Sequence, residues 1–143
     1  MKKLLLIGLL FAAFIVRAKS KPYQPFAVKA IDTTFVGLKD TAQKNIPRFI
    51  AALSKSPRGY RFLIKSEFTE NGKHEHLWSQ VKVYSDGIFK GIFIDSPFDL
   101  HNIKTGDKIA IKKSAVEDWA VFDRKGIRVD GNYSDKYEKM QKL

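Results

Sequence analysis

Hydrophobic residues recur with a helical period in one segment of the chain, between residues 40 and 53. Spacings of three and four residues place them on one face of a helix, and they are Ala42, Ile46, Phe49, Ile50 and Leu53. Asp40 and Gln43 match a capping box, which predicts that the helix begins at Asp40. Pro47 lacks the backbone N–H that a helix interior needs, which predicts a kink or two abutting helices. The apolar face is predicted to be core, since the strand-like remainder of the chain needs a cover.

From residue 60 onward the hydrophobic period changes to two, the pattern of half-buried strands. In the first of these strands Phe62 and Ile64 alternate with polar residues, and Leu63 is the exception. Asn71-Gly72 and Asp86-Gly87 predict tight turns, because these residue types tolerate positive φ angles. Strands are predicted at 60–68, 75–84, 88–94, 108–112, 119–122 and 127–129, with a helical turn at 114–118.

Short strands joined by local turns favour an antiparallel meander. The sequence therefore predicts a single α+β domain in which the kinked helix packs on a twisted antiparallel sheet of five or six strands. An open sheet and a curl toward a small half-open barrel are both compatible with this pattern. The predicted divisions of the chain are a signal peptide at 1–20, an extended segment at 21–39 with a short strand at 26–35, the α+β domain at 40–133 and a polar tail at 134–143.

The first residues of the chain have the layout of a secretory signal peptide. Lys2 and Lys3 precede an uncharged run of 13 residues, 4–16, whereas a helix that crosses a bilayer needs about 20. Ala18 or Ser20 supplies the small residue that precedes a cleavage site. Cleavage is therefore expected to leave an exported protein. The alternatives are an uncleaved membrane anchor and a buried N-terminal helix.

The chain is basic, with 26 Lys and Arg against 15 Asp and Glu side chains and a net charge of +11. Residues 1–20 carry four of the cations, so their removal leaves 22 basic and 15 acidic side chains and a charge of +7. Nucleic acid is an ordinary partner for such a charge, but an exported protein first meets anionic lipids, cell-wall polymers and acidic proteins. Nucleic acid is therefore not the expected partner. A solvated basic surface is the simpler interpretation, because the charges are spread along the chain.

Cysteine is absent from the sequence. This excludes disulfide bonds, a thiol nucleophile and a lipoprotein anchor. The domain must therefore be stabilised by packing, in a compartment that would permit disulfides.

A series of short motifs lies between residues 40 and 133. They are Ile46-Pro47-Arg48-Phe49, Glu75-His76-Leu77-Trp78, Gly87-x-x-x-Gly91 followed by Ser96-Pro97, Gly106-Asp107, Asp118-Trp119 and Gly131-x-Tyr133. In this order and spacing the chain resembles the YegJ-like bacterial family, whose function is unknown. The resemblance implies a small α+β domain in an exported or accessory context. It brings no catalytic residues, because the family has no established activity.

Three histidines are the candidate metal ligands. His74 and His76 lie two residues apart in a predicted strand, so both rings would leave the same face. Some zinc enzymes use two of three imidazoles in this way. His101 or Asp99 would have to supply the third ligand. The set is a weak candidate because no spacing specifies this third position, and no metal or other cofactor is predicted.

Glu75 and Asp118 are the carboxylates that a catalytic couple would use. They support the alternative function, a small metal- or carboxylate-dependent hydrolase. A structural role is favoured for both, with Asp118 capping the turn at 114–117 and Glu75 meeting a lysine across the sheet. The sequence contains neither a nucleophile elbow nor a phosphate-binding loop, so a function without catalysis is preferred.

The second predicted strand carries the candidate binding residues. Strict alternation places Trp78, Gln80, Lys82 and Tyr84 on one face and Leu77, Val81 and Val83 on the other. The apolar face is predicted to be core. The opposite face could hold a sugar ring or a protein partner, since Trp and Tyr combine contact area with a polar group. The alternative is that the helix covers this face and that Trp78 belongs to the core.

Taken with the leader, these features favour a non-catalytic binding or accessory module of the bacterial cell envelope. The expected partner is an envelope protein, which includes a toxin neutralised by an immunity-like protein, or an anionic envelope polymer or lipid surface. Contact with the membrane through the chain itself is expected only if the leader is not cleaved.

The leader makes a direct prediction about the mature protein. We expect it to begin near Lys19 or Lys21, because Ala18 and Ser20 each complete a small-residue cleavage pattern. Intact-mass measurement of the protein purified from its native host tests this. A mass that corresponds to residues 1–143 in the membrane fraction would instead establish an uncleaved anchor.

Overall fold

The structure, a computed structural model, describes residues 33–135 and Lys139. This part of the chain contains one long helix and six strands. In chain order the elements are the helix α1 (Thr33–Lys55) and the strands β1 (Arg61–Glu70), β2 (Lys73–Ser85), β3 (Ile88–Phe93), β4 (Lys108–Lys112), β5 (Val116–Phe122) and β6 (Arg128–Gly131). A short 3-10 helix, Lys113–Ala115, joins β4 to β5.

Helix α1 begins at Thr33, so the predicted start at Asp40 is wrong. Residues 33–39 are helical where an extended segment was expected, and the remainder of the predicted strand at 26–35 lies outside the described residues. Asp40 lies inside the helix and caps nothing. The Gln43 side chain does not complete a capping box, because its amide donates to the backbone carbonyls of Lys113 and Val116.

Contacts with the sheet accompany the additional helical turns. The ring of Phe35 packs edge-on against His76, with the centroids 5.2 Å apart, and Lys39 lies 3.6 Å from the Glu117 carboxylate. Pro47 lies within this single continuous helix, which contradicts the expectation of two abutting helices. Its side chain is exposed, so water can hydrogen-bond to the helix carbonyl that proline leaves without a donor.

The six strands form one antiparallel sheet in the order β4-β3-β2-β1-β5-β6. This confirms the predicted α+β architecture. The tight turns are also where the sequence predicts them, with positive φ angles of 49° and 75° at Asn71 and Gly72 and of 52° and 77° at Asp86 and Gly87. Two consecutive positive φ angles give the turn twist that matches antiparallel strands.

The link between β4 and β5 requires the sheet to bend. In the sheet order these strands are four strand spacings apart, which is about 19 Å in a flat sheet. Only Lys113–Ala115 separates them along the chain, and the path from Lys112 to Val116 reaches about 14 Å at full extension. The sheet therefore curls around the helix, while β4 and β6 remain unpaired edges of an open sheet.

Phe49 occupies the concave side of this curl and is fully buried. Its ring contacts Phe62 on β1, Phe89 on β3 and Trp119 on β5, with centroid distances of 5.9, 5.7 and 5.3 Å. Trp119 is also fully buried, and its indole N–H donates to the Ala42 carbonyl at 2.9 Å. The helix thus packs β1, β3 and β5 into one core, which confirms the predicted burial of its apolar face and of Trp119.

A β-bulge in β2 overturns the predicted division of that strand into two faces. Val81 pairs with Gly91 and Val83 pairs with Lys90, so Lys82 is the extra residue. One inserted residue exchanges the two faces for the rest of the strand. Val83 is consequently 51% exposed, and Tyr84 packs on the buried Phe89 ring at 4.6 Å.

The pairing of β3 with β2 explains why residue 91 is a glycine. A Cβ atom at Gly91 would overlap the backbone carbonyl of Gln80, so only glycine permits this close approach of β3 to β2.

Within the described part of the chain, no helix combines the length and the apolar composition needed to cross a bilayer. The apolar leader at 4–16 lies outside that part.

Replacing Phe49 with Ala should lower the free energy of unfolding by about 3–5 kcal/mol, the range for deleting a large buried aromatic ring. Urea denaturation measures this change. Phe98→Ala is the matched control, because Phe98 is 66% exposed and its loss should change the free energy of unfolding by no more than about 0.5 kcal/mol. Equal effects of the two substitutions would contradict the central position of Phe49.

Candidate functional site

A groove of about 260 Å³ lies on the sheet face opposite α1. Its position follows from alternation, since Leu63, Trp78 and Ala120 each stand between neighbours that point into the helix-side core. Its apolar walls are Leu63, Trp78, Ile94, Ala120 and Phe122. We refer to this site as the Trp78 groove. The helix therefore does not cover Trp78, whose side chain is half-buried.

The polar groups of the Trp78 groove are Asp95, Asn132, Asp135 and the Trp78 indole. Asp95 accepts the backbone N–H of Trp78 at 3.1 Å, and this bond holds the start of the β3–β4 loop against β2. Neither the Trp78 indole N–H nor the Asn132 side chain has a hydrogen-bond partner among the described residues. Both groups are thus available to a ligand, beside apolar walls.

Cations surround the acidic side of the groove. Asp135 accepts hydrogen bonds from Lys139 at 2.9 Å and from Arg128 at 3.3 Å. The hydrogen bond from Lys139 is the main cause of the lowered pKa of Asp135. The ammonium of Lys65 lies 5.6 Å from the centroid of the Trp78 ring, a cation–π contact.

The structure brings together only part of the set of binding residues predicted from the sequence. Gln80 is half-buried and Lys82 is exposed at the bulge, and neither lines the Trp78 groove. Tyr84 lies on the helix side of the sheet, because of the bulge. The groove instead combines Trp78 with Leu63 and Phe122. Leu63 breaks the alternation of β1, and that exception was the available signal for an apolar outer face.

The candidate metal ligands do not converge. His74 is hydrogen-bonded to Glu67 at 2.9 Å, and His76 to Glu117 at 2.6 Å. His101 is exposed on the β3–β4 loop. Between Thr33 and Asp135, no three His, Cys, Asp or Glu side chains are grouped so that they could hold a metal ion.

The carboxylate of Glu75 on β2 holds the β3–β4 loop in place. Its side chain is buried, and its carboxylate accepts the backbone N–H groups of Phe98, Asp99 and Leu100 at 2.6–3.1 Å. A lysine across the sheet was expected instead. The three donors come from consecutive residues, so the loop forms a small anion-binding nest that the protein fills with its own carboxylate.

Glu70 extends the same arrangement by two residues. Its carboxylate accepts the N–H groups of His101 and Asn102 at 2.7 and 2.9 Å. The hydrogen bond from Asn102 is the main cause of the lowered pKa of Glu70, since an ionised carboxylate accepts it better than a neutral one. Five consecutive backbone donors, 98–102, are therefore bound by two carboxylates of the β1–β2 hairpin.

Asp118 has a similar structural role at the other end of the sheet. It is almost completely buried and accepts the backbone N–H groups of Trp119, Tyr133 and Ser134 at 2.7–3.1 Å. The predicted cap on the turn at 114–117 is thus replaced by bonds to the segment after β6. The carboxylates of Glu75 and Asp118 do not form a pair, because they hold two different segments of the chain.

Comparison with known proteins identifies the family. The model of a family described as "Uncharacterized protein conserved in bacteria (DUF2314)" matches residues 25–138. The chain belongs to this family. It is also 31% identical over 93 residues to "Uncharacterized protein YegJ" of Escherichia coli (strain K12). That match covers 65% of this chain and 59% of the relative's own length, and no solved structure matches.

The carboxylate-held loop yields a prediction about amide hydrogen exchange. Glu75→Gln should accelerate exchange at Phe98, Asp99 and Leu100, and Glu70→Gln at His101 and Asn102, because the new NH₂ group would face backbone donors. Residue-resolved NMR exchange tests this assignment. The Gly106 amide donates to the Phe93 carbonyl at 2.8 Å and should be unaffected by either change.

The pH dependence of the same amides has a definite sign. Because the pKa of Glu70 is lowered from its ordinary value of 4.5, its contribution is complete above that pH and is lost as the pH falls through the lowered value. Protection of His101 and Asn102, corrected for intrinsic exchange, should decline in that acidic range. Glu70→Gln should remove the decline. A pH-independent protection in the wild type would show that Glu70 does not hold the loop.

Proposed function

We propose that this member of an uncharacterised bacterial family is a non-catalytic binding module of the cell envelope, and that the Trp78 groove binds an envelope protein. One observation carries the proposal. A half-buried tryptophan, with an indole N–H that has no partner among the described residues, lies in an apolar groove on the sheet face away from the helix.

The size of the groove suits one side chain of a partner. Its volume of about 260 Å³ is below the range of about 300–1,000 Å³ that is usual for small-molecule sites. Protein interfaces concentrate their binding energy in a few aromatic contacts, each surrounded by residues that exclude water. Trp78 shares the groove with two apolar residues of this kind, Leu63 on the adjacent strand β1 and Phe122 on the next strand, β5.

The charges of the groove favour a protein over an anionic polymer. Asp95 lines it without an ion pair among the described residues and would repel a polyanion, whereas Asp135 is already paired with Lys139 and Arg128. A protein that presents an apolar side chain next to a hydrogen-bond donor or a cation matches the lining better. The groups that the hydrolase alternative would use are engaged elsewhere, since Glu75 and Asp118 accept backbone hydrogen bonds.

The envelope location is supported by the sequence. The chain has the charged start, the short apolar run and the small residues of a secretory leader, and its relatives are bacterial. Its net charge of +7 without the leader, from 22 basic and 15 acidic side chains, would promote encounters with the anionic surfaces of the envelope.

The two tryptophans provide a test that separates folding from binding. Trp119→Ala should lower the free energy of unfolding by about 3–5 kcal/mol, whereas Trp78→Ala should cost less, because Trp78 remains partly in solvent. Paired urea denaturation curves measure both. If Trp78→Ala is as destabilising as Trp119→Ala, the tryptophan serves the fold and the groove is not a binding site.

Partner binding is tested by site-specific cross-linking in cells that express the full chain. A photoreactive residue at Phe122, inside the groove, should cross-link a specific envelope protein, and Trp78→Ala should abolish the product. A photoreactive residue at Val83, on the same sheet face but outside the groove, is the matched control. Cross-linking from both positions, or a product that does not depend on Trp78, would contradict the proposal.

A further inference from the structure

A second groove, of about 400 Å³, opens between the C-terminal half of α1 and the sheet. Its floor is formed by Phe62 and Val121, which are each 3% exposed and belong to the core. Its walls include Ala51 and Ala52 on the helix and Val129 on β6. Val129 is the extra residue of a β-bulge, because Val121 pairs with Asp130 and Phe122 pairs with Arg128. Its side chain is 52% exposed. We call this the helix-side groove. It leads from solvent directly to the hydrophobic core.

Cations and a phenol lie around the opening of the helix-side groove. Lys55 has no ion pair, and the Tyr60 hydroxyl has no hydrogen bond, within the described part of the chain. Arg48 directs its guanidinium at the carboxylate of Asp130 through two hydrogen bonds. The bond to Asp130 is the main cause of the raised pKa of Arg48. Two cations, one of them already oriented for a carboxylate, thus adjoin an apolar floor.

We propose that the helix-side groove binds an amphipathic anion, an alkyl chain that carries a carboxylate or phosphate head group. The alkyl chain lies above the buried Phe62 and Val121 and against the exposed side chains of Ala51 and Val129, so that its own apolar surface and theirs are removed from water. The head group accepts hydrogen bonds from Lys55 and the Tyr60 hydroxyl and shares the Arg48 guanidinium with Asp130. The volume of the helix-side groove, about 400 Å³, falls within the range of about 300–1,000 Å³ typical of small-molecule sites.

The charges distinguish this ligand from alternatives. A neutral alkyl compound would leave Lys55 without a partner. A hydrophilic anion such as acetate or inorganic phosphate would gain nothing from the apolar floor. An alkyl cation would meet the unpaired Lys55 and be repelled, since Asp130, the carboxylate of the lining, is already bound by Arg48. Only the combination of an apolar chain with an anionic head uses both parts of the groove.

The site is independent of the Trp78 groove. Phe62 and Val121 point to the helix side of the sheet, and their chain neighbours Leu63 and Phe122 point to the opposite side. A protein partner and an amphipathic anion would therefore occupy opposite faces of the sheet. Trp78→Ala should leave binding of the anion unchanged, so that failure of one proposal does not decide the other.

Titration of the full-length protein with dodecanoate and dodecyl phosphate, followed by calorimetry and by amide NMR shifts, tests the proposal. Both should bind, with the largest shifts at Ala51, Ala52 and Val129. Lys55→Gln should weaken binding about tenfold, the loss expected for one hydrogen bond to a charged group. Lys44→Gln is the matched control, because Lys44 is an exposed lysine of the same helix that does not line the groove.

Further ligands and a blocking variant separate the possible outcomes. Ala51→Phe should fill the groove and abolish binding without unfolding the protein, since position 51 is exposed. Monolauroyl glycerol, acetate and inorganic phosphate should bind at least tenfold more weakly than dodecanoate. Equal binding of the neutral compound, unchanged affinity in Lys55→Gln, or shifts centred on Leu63 and Phe122 would each overturn the proposal.

Vesicles identify the source of the ligand. If phosphatidylglycerol vesicles compete with dodecanoate and Ala51→Phe reduces vesicle binding, the head group belongs to a membrane lipid. If vesicles do not compete while dodecanoate binds, the ligand is a free amphiphile. Vesicle binding that neither dodecanoate nor Ala51→Phe affects, without dodecanoate binding, would show a surface electrostatic interaction and contradict the groove.

Discussion

The packing of Phe49 against three strands is the interaction on which the rest of the structure depends. Phe62 and Trp119 lie on the paired strands β1 and β5, whereas Phe89 on β3 is two strands from β1 and three from β5, and one ring contacts all three side chains. This is possible only because the sheet curls around α1. The same curl lets the short link Lys113–Ala115 join β4 to β5. The apolar face of the helix therefore covers one face of the sheet and also determines how the sheet curls.

Buried carboxylates perform a task that hydrophobic packing cannot perform. The β3–β4 loop and the segment after β6 carry backbone N–H groups that no strand pairs, and burying such donors without an acceptor is costly. Glu75 accepts three of them and Asp118 accepts two, those of Tyr133 and Ser134, besides the N–H of Trp119 within β5. Acidic residues in this sheet thus position segments of the chain, and Asp95 of the Trp78 groove does the same at the start of the β3–β4 loop by accepting the Trp78 N–H.

Alternation places the two grooves on opposite sides of one sheet, and two bulges change which side chains stand on each side. The bulge at Val129 puts an extra apolar residue beside the helix-side groove, and the bulge at Lys82 turns Tyr84 toward the core and leaves Val83 exposed. A regular strand would have placed Tyr84 on the same face as Trp78. Local departures from regular pairing thus supply Val129 to the helix-side groove and keep Tyr84 off the face that carries the Trp78 groove.

The sequence by itself determined the features that depend on neighbouring residues along the chain. The helix face around Phe49, the Asn71-Gly72 turn and the burial of Trp119 follow from periodicity and turn chemistry, because local backbone geometry sets both. Only the tertiary structure decided the rest. The helix starts at Thr33 where Phe35 and Lys39 contact the sheet, and Glu75 binds amides more than 20 residues away. Such long-range partners, like a single inserted residue in a strand, depend on how distant segments meet and leave no period in the sequence.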